Sequence, residues 1–283
     1  MIEFQYSIFT GTPDFPVHLQ YGFHEEELYL HAHQDFSELV IVLDGRARHI
    51  VGGEQYPISK GAVFVVGPDT EHGFTDTRHL TICNLMFREE AFSQIHDMRQ
   101  IPGFQAMFVL EPHYAQSDRF IARLRLSADA LTRTEQALES LMQEYTEKRP
   151  GWEDMVLSEF HALCIRLSRA YAPPTEYGIL RIADAIAYLE HHFTENVPAA
   201  VLAELSGYSQ RQFLRLFRKM LGTSPKQYAA GLRMAQAKRL LATTALSIGE
   251  IAWRCGFDDQ NYFTRQFRQY TGQTPTGYRE MMQ

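Results

Sequence analysis

Three histidines and one glutamate in the first third of the chain have side chains that could bind a metal ion or a small polar ligand. His31 and His33 are two residues apart, Glu38 follows five residues after His33, and His72 lies further along the chain. Residues two apart in a β-strand point to the same face, so the first two imidazoles would face one side. Imidazole and carboxylate groups together suit iron, zinc, nickel or manganese.

The last third of the chain has a different chemistry, in two segments that repeat each other. Seven residues recur 50 positions later: Phe213, Arg215, Phe217, Arg218, Gly222, Pro225 and Tyr228 correspond to Phe263, Arg265, Phe267, Arg268, Gly272, Pro275 and Tyr278. A repeat at a fixed offset indicates a duplicated structural unit. Arginine can pair with guanine through two hydrogen bonds, and Asn or Gln can pair with adenine. The matched polar residues therefore favour DNA reading over the alternative of solvated faces on two core helices.

Each repeated unit is predicted to be a helix, a tight turn and a second helix. Ser209 in the first copy and Asp258 in the second are good N-caps for the second helix. The two phenylalanines of each copy are four residues apart, so they share one face and point inward. Gly222 and Gly272 would end the second helices, and the prolines three residues later would begin the next ones.

Two long motifs in this part of the chain, "ELSGYSQRQFLRLFRKMLGTSPKQY" and "IAWRCGFDDQNYFTRQFRQYTGQTPTGYR", are similar to those of a known family. On these motifs, residues 182–279 resemble the DNA-binding domain of AraC/XylS-type transcription regulators. The resemblance implies seven helices, in which two helix-turn-helix units are joined by a long helix, here residues 224–244. It also implies double-stranded DNA as a partner, with the two second helices entering major-groove segments about 34 Å apart.

The same resemblance implies which residues contact DNA. They are Ser209, Gln210, Arg211, Leu214, Arg215 and Arg218 in the first unit, and Asp259, Gln260, Asn261, Thr264, Arg265 and Arg268 in the second. Leu214 departs from the usual polar readers, and Asp259 cannot approach phosphate comfortably. Leu214 would touch a thymine methyl group or no base, and Asp259 would either accept a hydrogen bond from a cytosine amino group or help cap its helix.

The chain between about residues 20 and 90 shows no helical period and alternates short apolar runs with turn residues. Its segments "ELVIVLDG", "RARHIVGG", "QYPISKG", "AVFVVGPD" and "LTICNLMF" predict strands, with turns at Asp44-Gly45 and at Gly52-Gly53. Many short strands at regular spacing indicate an antiparallel sandwich or small barrel.

Within these predicted strands, the pattern H-x-H-x4-E-x6-G and a later motif ending in a histidine resemble the two cupin motifs. In metal-binding cupins three histidines and a glutamate converge on one divalent ion, which implies His31, His33, Glu38 and His72 as ligands here. The later motif departs from P-x-G-x-x-H, because Pro68-Asp-Thr-Glu-His72 is one residue shorter and lacks the glycine.

Sensor cupins of the same regulator family commonly bind an effector, often a sugar, in the same cavity without a metal. The four residues are therefore candidates for effector binding, for metal binding or for a purely structural role. The segments "HAHQDFSELVIV" and "IPGF" are similar to the rhamnose-responsive members of the family, which favours a carbohydrate effector.

Two amphipathic helices are predicted in the middle of the chain, at residues 118–148 and 152–167. The first has an apolar stripe formed by Phe120, Leu124, Leu131, Leu138, Leu141 and Tyr145. Such a stripe packs either on the chain's own barrel or on a second copy, and the resemblance favours pairing between protomers in a homodimer. Residues 171–178 contain two prolines and predict a linker. The expected domains are residues 1–172 for sensing and dimerisation, 173–180 for the linker and 181–283 for DNA binding.

Charge and composition fit this organisation. The formal net charge is −7, yet residues 178–283 hold 13 Lys and Arg against 8 Asp and Glu, a net charge of +5. A basic domain on an acidic body suggests that only the basic part meets a polyanion. No apolar stretch approaches the ~20 residues of a membrane span. The first residues do not resemble a signal peptide, and the three cysteines form neither a disulfide framework nor a CxxC pattern.

These patterns together predict an α+β chain of two domains. An N-terminal cupin-like antiparallel β-barrel would be followed by dimerisation helices and then by a C-terminal all-α domain with two helix-turn-helix units. The expected function is that of a cytoplasmic, sequence-specific DNA-binding transcription regulator, an activator, with RNA polymerase as a further partner and no membrane partner. A small-molecule effector, a sugar, would bind in the cupin domain, and a divalent metal ion is the one cofactor considered. We expect no catalytic residues. The alternatives are an enzyme tethered to DNA and a DNA-binding protein whose barrel serves only to dimerise.

Overall fold

A computed structural model of the chain describes residues 2–92, 96–114, 124–171 and 179–282. The chain divides into two compact units, Met1–Ala183 and Asp184–Gln283. The predicted linker falls mostly outside the described residues, as does Phe120 of the predicted apolar stripe. Within the described part of the chain, we find no helix that combines the length and the apolar character needed to cross a bilayer.

The first unit is built on one sheet that is antiparallel except for the pair formed by its first and third strands. The strands are β1 (Ile2–Phe4), β2 (Val17–His24), β3 (Leu28–His33), β4 (Ser37–Val51), β5 (Glu54–Ser59), β6 (Ala62–Val66), β7 (His72–Phe87) and β8 (Leu124–Arg125). Their order is β1-β3-β7-β4-β6-β8, while β2 pairs with β7 and β5 pairs with β4. The long strands β4 and β7 pair with each other and each changes its other neighbour along its length. These two strands therefore form the centre of the sheet.

Strand β4 corrects one prediction from the sequence. Asp44-Gly45 was expected to be a turn between two strands, but β4 continues through both residues for 15 residues. Its pairing with β7 shifts register at three places between Val42 and Arg48, which are β-bulges or irregularities. Bulges accommodate an extra residue and bend the strand without ending it. The turn predicted at Gly52-Gly53 is present and connects β4 to β5.

One cluster of the core of the first unit lies on one face of the bent sheet. The side chains that alternate toward this face are apolar and almost fully buried: Val40, Val42, Ala47, Val51, Ile58, Ala62, Phe64, Val66, Phe74, Leu80 and Ile82. The opposite face is buried as well along β6 and the first half of β4, since Leu39, Ile41, Val63 and Val65 are also fully buried. The residues predicted to form a ligand site lie on the same strands as this core.

Helices follow the sheet in the first unit, and the structure corrects the start of the predicted first one. Short helical segments occupy α1 (His96–Arg99), α2 (Pro102–Phe104), a π-helical turn at Gln105–Leu110, and α3 (Glu111–Tyr114). The long helices are α4 (Ala128–Glu147) and α5 (Trp152–Ala170). Leu124 was expected in the first long helix but lies in β8, paired with Val63, and the Ser127 side chain caps α4 by accepting from the Ala130 amide.

The apolar stripe of α4 is buried within a single chain. Leu131, Leu138 and Leu141 are at most 5% exposed. This is the packing expected if the helix covers its own domain, because a stripe reserved for a second copy would be exposed in one chain. A partner protomer would therefore meet other faces of these helices.

From residue 179 the chain is helical and contains the seven helices that the resemblance implied. They are α6 (Ile179–His192), α7 (Ala199–Leu205), α8 (Gln210–Leu221), α9 (Pro225–Thr243), α10 (Ile248–Arg254), α11 (Gln260–Thr271) and α12 (Pro275–Met282). Helices α7 and α8 form the first helix-turn-helix unit, α10 and α11 form the second, and α9 connects them. Gly222 and Gly272 end α8 and α11 in the left-handed region, with φ of 68° and 80°, and Pro225 and Pro275 begin the following helices as predicted.

The N-cap of α11 differs from the prediction by one residue. Asp258 was expected to cap the helix, but the cap is Asp259, whose side chain accepts a hydrogen bond from the Tyr262 amide at 2.5 Å. In α8 the predicted Ser209 is the cap, and it forms a capping box with Gln212. Both caps satisfy amide groups that would otherwise lack a partner in the first turn.

We predict that Phe263→Ala destabilises the second unit strongly. Phe263 is fully buried and its ring packs against Phe257 and Phe267, with centroids 5.3 and 5.8 Å apart. Removing a buried phenylalanine leaves a cavity and costs about 3–5 kcal/mol of unfolding free energy, which urea unfolding followed by circular dichroism can measure. Trp253→Ala is the control, because Trp253 is 74% exposed and its loss should change stability by less than about 0.5 kcal/mol. Equal losses in the two variants would contradict the packing described.

Candidate nucleic-acid interface and buried histidine cluster

The outward side of α8 carries a set of exposed polar and basic side chains. Phe213 and Phe217 are fully buried beneath it. The exposed residues are Ser209, Gln210, Arg211, Leu214, Arg215 and Arg218, all six predicted to contact DNA. Leu214 is 37% exposed and lies among these polar neighbours. We call this surface the α8 face.

The outward side of α11 is only partly available for contacts. The Asp259 carboxylate is used as the helix cap. The Thr264 hydroxyl donates to the Gln260 backbone carbonyl at 2.9 Å, within its own helix. The Gln260 side chain lies against α10, since a Cβ added to Gly249 would come within 2.8 Å of its Oε1 atom. Gln260 is nevertheless exposed, as are Asn261, Arg265 and Arg268, and we call the last three residues the α11 face.

Tyr262 was not predicted to belong to this surface. Its ring is 48% exposed, and the Arg265 guanidinium lies 6.0 Å from the ring centroid, a distance at which a cation is attracted to an aromatic face. The sequence placed Tyr262 next to the second phenylalanine pair, where an aromatic residue reads as part of the core. The signal in the sequence was the spacing. Tyr262 is three residues before Arg265, so the two side chains are neighbours on the helix surface, on the side away from the buried Phe263 and Phe267.

The arginines of both faces lack acidic partners. Among the described residues, none of Arg211, Arg215, Arg218, Arg265 and Arg268 forms an ion pair with a carboxylate. Guanidinium groups with free donors are suited to phosphate oxygens and to guanine. The two faces therefore present unneutralised positive charge on a chain whose formal net charge is −7.

Arg233 in the connecting helix α9 holds several segments of the second unit together, and the sequence did not indicate this role. Its guanidinium donates to the backbone carbonyls of Phe193, Thr194 and Glu195, which follow α6, at 2.7, 3.3 and 2.9 Å. It also donates to the carbonyl of Gly256, in the turn between α10 and α11, at 3.1 Å. Arg233 thus connects α9, the end of α6 and the turn before the second reading helix.

Gly256 explains why this turn can approach the end of α6 so closely. Its φ is +77°, and an added Cβ would lie 2.1 Å from the Thr194 carbonyl oxygen. Only glycine adopts this backbone conformation without a steric cost and leaves room for that carbonyl. The tight turn predicted between the two helices is therefore also a packing contact.

The four residues predicted to form a ligand site come together in the first unit. His31 and His33 are at the end of β3, Glu38 is at the start of β4, and His72 begins β7, where it pairs with His31 across the strands. All four side chains are at most 7% exposed. One nitrogen from each of the three imidazoles lies within 4.8 Å of the other two, and His72 Nε2 is 3.9 Å from a Glu38 carboxylate oxygen. We call these four residues the histidine cluster.

The hydrogen bonds of the histidine cluster leave ligand positions open. His31 Nδ1 donates to the Tyr29 carbonyl at 2.9 Å, so the Nε2 atom of the neutral ring is left as an acceptor. His33 Nε2 and His72 Nε2 are 3.4 Å apart. The Nδ1 atoms of His33 and His72 are buried and have no hydrogen-bond partner among the described residues. Buried polar atoms are normally paired, so these atoms indicate a place where a ligand could bind.

Burial determines the protonation state of the cluster. It lowers the pKa of His33 to about 3, with a further contribution from His31, and it lowers the pKa values of His31 and His72 as well. Burial also raises the pKa of Glu38 to about 8. At neutral pH the imidazoles are therefore neutral and most of the Glu38 carboxyl groups are protonated. The contact between His72 and Glu38 is one between uncharged groups and not an ion pair.

A fourth histidine lies beside the cluster and was not predicted. His49 on β4 is fully buried, and its ring centroid is 5.6 Å from that of His72. It stacks on Phe64 at 4.6 Å, which places it at the junction of the cluster and the apolar core. No motif marks His49 in the sequence. The one indication that His49 lies near the cluster is that it shares strand β4 with Glu38, and this is visible only when β4 is known to be continuous.

Space at the cluster fits an ion better than a sugar ring. Two cavities of about 630 and 870 Å³ open on the surface of the first unit, and neither is lined by the four residues. The three imidazoles are packed closely, with ring centroids 4.4 to 5.2 Å apart. A ring-shaped ligand among them would require the side chains to move apart.

Comparison with known proteins identifies a domain family in each of these two parts of the chain. Residues 202–281 match the family profile of a helix-turn-helix domain and residues 17–83 match that of a cupin domain. The chain is 28% identical over 249 residues to the HTH-type transcriptional activator RhaS of Enterobacter sp. (strain 638). It is 26% identical over 249 residues to RhaS of Escherichia coli (strain SMS-3-5 / SECEC). Both alignments cover 88% of this chain and 86% of the relative.

A solved transcriptional regulator with an AraC-type DNA-binding domain, from Chromobacterium violaceum, is 32% identical, with a TM-score of 0.34; the match covers 36% of this chain and 91% of that one.

The two domains and the exposed arginine-bearing faces define a DNA-binding transcription regulator with a cupin domain. The long alignments with transcriptional activators extend this conclusion over most of the chain. A helix-turn-helix domain and a cupin domain in one chain, together with the homology to RhaS, make it similar to the AraC-type transcription regulators.

We predict that Arg233→Met loosens the second helix-turn-helix unit without unfolding the chain. The methionine keeps most of the aliphatic length but removes the donors to Gly256 and to the three carbonyls after α6. Hydrogen exchange measured by mass spectrometry should become faster at residues 193–195 and at residues 255–262, because the contacts that hold these segments are lost. Lys238→Met, on the same helix, is the control and should leave exchange there unchanged. Identical exchange in the Arg233 variant and the wild type would disprove the holding role.

Proposed function

We propose that this chain activates transcription by binding a specific DNA operator through the α8 face and the α11 face, under the control of a small molecule bound by its cupin domain. The observation that carries the proposal is the pair of exposed reading surfaces on duplicated helices, each with arginines that lack acidic partners. The relatives named above are called activators, which supports activation as the output.

The two faces divide the work of recognition in the proposed complex. Arg215 and Arg265 occupy equivalent positions in the repeat, and each reads a base, with guanine the best match for a guanidinium. Arg211, Arg218 and Arg268 add contacts to bases or phosphates, and Asn261 suits adenine. Ser209, Asp259 and Thr264 contribute through the structure of their helices, since their polar atoms are used there. Gln260 is exposed beside α10 and is a further candidate for adenine.

Control by an effector requires a ligand that binds one arrangement of the two domains better than another. A ligand shifts such an equilibrium only by the difference between its two affinities. We infer that the effector is a sugar or a sugar derivative, on the resemblance to the rhamnose-responsive members and on the open nitrogen atoms of the histidine cluster. Its hydroxyl groups would pair with His33 and His72, and the neighbouring side chains would have to move apart to admit a ring.

A divalent metal ion is the second candidate for the histidine cluster, and one observation favours it. His33 Nε2 and His72 Nε2 are 3.4 Å apart, close to the separation of about 3.4 Å for two nitrogens at a tetrahedral zinc ion. The hydrogen bond from His31 Nδ1 to a backbone carbonyl is also the arrangement common for metal-bound histidines. His31, His33, His72 and Glu38 would hold the ion, and it would supply a Lewis-acidic position for a ligand.

Further partners follow from the same proposal. An activator acts on RNA polymerase, so we infer a contact with that enzyme in the cytoplasm. We also infer a homodimer, from the resemblance alone, since the apolar stripe of α4 is covered within one chain. The exposed faces of α4 and α5 are then the surfaces available for pairing.

We predict that Arg215→Ala and Arg265→Ala each weaken operator binding by about 1–3 kcal/mol, because each removes a base contact. The operator would first be isolated by selection from random DNA, and affinity would be measured by fluorescence anisotropy at fixed salt. Arg169→Ala, an exposed arginine on α5, is the control for the change of net charge. Unchanged affinity and unchanged base preference in both variants would refute the assignment of the two faces.

A second prediction separates the two candidates for the cluster. If an ion is bound, the purified chain contains about one divalent metal ion per molecule by elemental analysis, and His33→Ala and His72→Ala lower this content because each removes a ligand. His79→Ala, whose side chain is 82% exposed, should retain it. If a sugar is bound, metal content is negligible in all forms. The matching sugar then raises the unfolding temperature of the wild type but not of the two cluster variants.

A further inference from the structure

We propose that the first unit has a second binding site, for a small organic anion, between Arg46 on β4 and Arg78 on β7. The two arginines are direct partners across the antiparallel strands, where opposing Cα atoms are about 4.5–5.5 Å apart. Both side chains line the surface cavity of about 870 Å³. This site goes beyond the proposed function, because it needs neither DNA binding nor the histidine cluster.

The pairing of the two arginines is unusual without a ligand. Like charges directly opposite on neighbouring strands destabilise a sheet. Among the described residues neither Arg46 nor Arg78 has a hydrogen bond or an ion pair to a side chain. Arg48, two residues along β4, shows the ordinary arrangement, since its guanidinium pairs with Asp76 at 3.1 Å. An anion between Arg46 and Arg78 would supply the missing negative charge.

The other charged groups of the cavity already have partners. Lys60 Nζ is 3.7 Å from an Asp44 carboxylate oxygen, and His79 Nδ1 is 3.5 Å from a Glu25 carboxylate oxygen. With histidine counted as neutral, the groups that line the cavity carry a formal net charge of +1, and the two arginines are the cations outside these pairs. The carboxylates at the edge would repel an extended polyanion, so the geometry favours a compact anion over a DNA backbone.

The backbone brings the two strands unusually close at this point. Gly45 has a φ of +74°, and an added Cβ would lie 2.1 Å from the His79 carbonyl oxygen and 2.5 Å from that of Arg78. Any other residue at this position would push β4 away from β7. The glycine therefore keeps Arg46 next to Arg78, at the irregular part of β4.

The lining also indicates the class of ligand. Ser59, the partner of Arg46 on β5, and Thr77 on β7 both line the cavity and bring hydroxyl groups beside the guanidiniums. Two guanidiniums bind a phosphoryl or carboxylate group through charge-assisted hydrogen bonds, and hydroxyl groups suit the polar remainder of such a molecule. A sugar phosphate or a sugar acid fits this combination, and an uncharged sugar does not.

Calorimetric titration of the full chain tests the site, with inorganic phosphate, glucose 6-phosphate, gluconate and glucose as probes at constant ionic strength. We expect saturable binding of at least one anion at one site per chain and no binding of glucose. Tighter binding of phosphate and glucose 6-phosphate would identify a phosphoryl group, and tighter binding of gluconate a carboxylate. The proposal fails if no anion saturates below about 10 mM, a range in which a paired guanidinium site would show.

Variants provide the specific test. Arg46→Gln and Arg78→Gln should each weaken anion binding by about tenfold to a hundredfold, since each removes a charged donor. Arg48→Gln makes the same change of charge on the same strand and should bind the anion as the wild type does. An equal loss in Arg48→Gln would mean that only the general surface charge matters, and the site would be rejected.

Thermal unfolding without any anion gives an independent result. Because the paired like charges are unfavourable when no ligand is bound, Arg46→Gln and Arg78→Gln should keep or raise the unfolding temperature in phosphate-free buffer. Arg48→Gln should lower it slightly through the loss of its ion pair with Asp76. A lower unfolding temperature in the first two variants than in Arg48→Gln would show that the arginines stabilise the fold themselves, and would overturn the proposal.

Discussion

Two pairs of buried phenylalanines determine which side of each reading helix meets the solvent. Phe213 and Phe217 in α8, like Phe263 and Phe267 in α11, are four residues apart and fully buried. A helix is rigid about its axis, so fixing one side in the core fixes the direction of every other side chain. The arginines of the α8 and α11 faces are exposed because these rings are not. Because both copies bury the same pair of rings, the α8 face and the α11 face lie on corresponding sides of their helices. This arrangement suits a DNA duplex, whose major groove repeats regularly along the axis.

The two faces are nevertheless different in chemistry. On α8 the cap is a serine, and three arginines stay free of acidic partners. On α11 the cap is Asp259, whose charge stays next to the helix start, while the Thr264 hydroxyl is bonded to a carbonyl of its own helix. A carboxylate stabilises a helix N-terminus but lowers the attraction for phosphate nearby. The α8 face is therefore more basic than the α11 face, and in the proposed complex the α11 face depends more on Asn261 and Arg265 for its contacts.

The sequence was most informative where structure is determined by local chemistry. The glycines that end α8 and α11 and the serine cap follow from neighbouring residues and were predicted correctly, while the set of seven helices was implied by the family resemblance. Asp258 and Asp259 are adjacent and equally good caps, so only the geometry of the turn separates them. Asp44-Gly45 is a typical hairpin turn, yet strand pairing on both sides extends through it as a bulged strand. Arg233 and His49 could not be predicted, because their contacts join segments far apart in sequence.

The histidine cluster shows how burial can prepare a site for two different occupants. Its residues come from β3, β4 and β7, so a ligand that touches all of them links β3 to the two central strands of the sheet. Burial keeps the imidazoles neutral, and neutral imidazoles can bind either a metal ion or a hydroxyl group. Glu38 distinguishes the two cases. Burial favours its protonated form, which can donate a hydrogen bond to a hydroxylated ligand. A divalent cation at the same place would instead favour the carboxylate and release the proton. Whether the cluster holds a metal ion or a hydroxylated ligand is thus linked to whether the Glu38 carboxyl group is protonated.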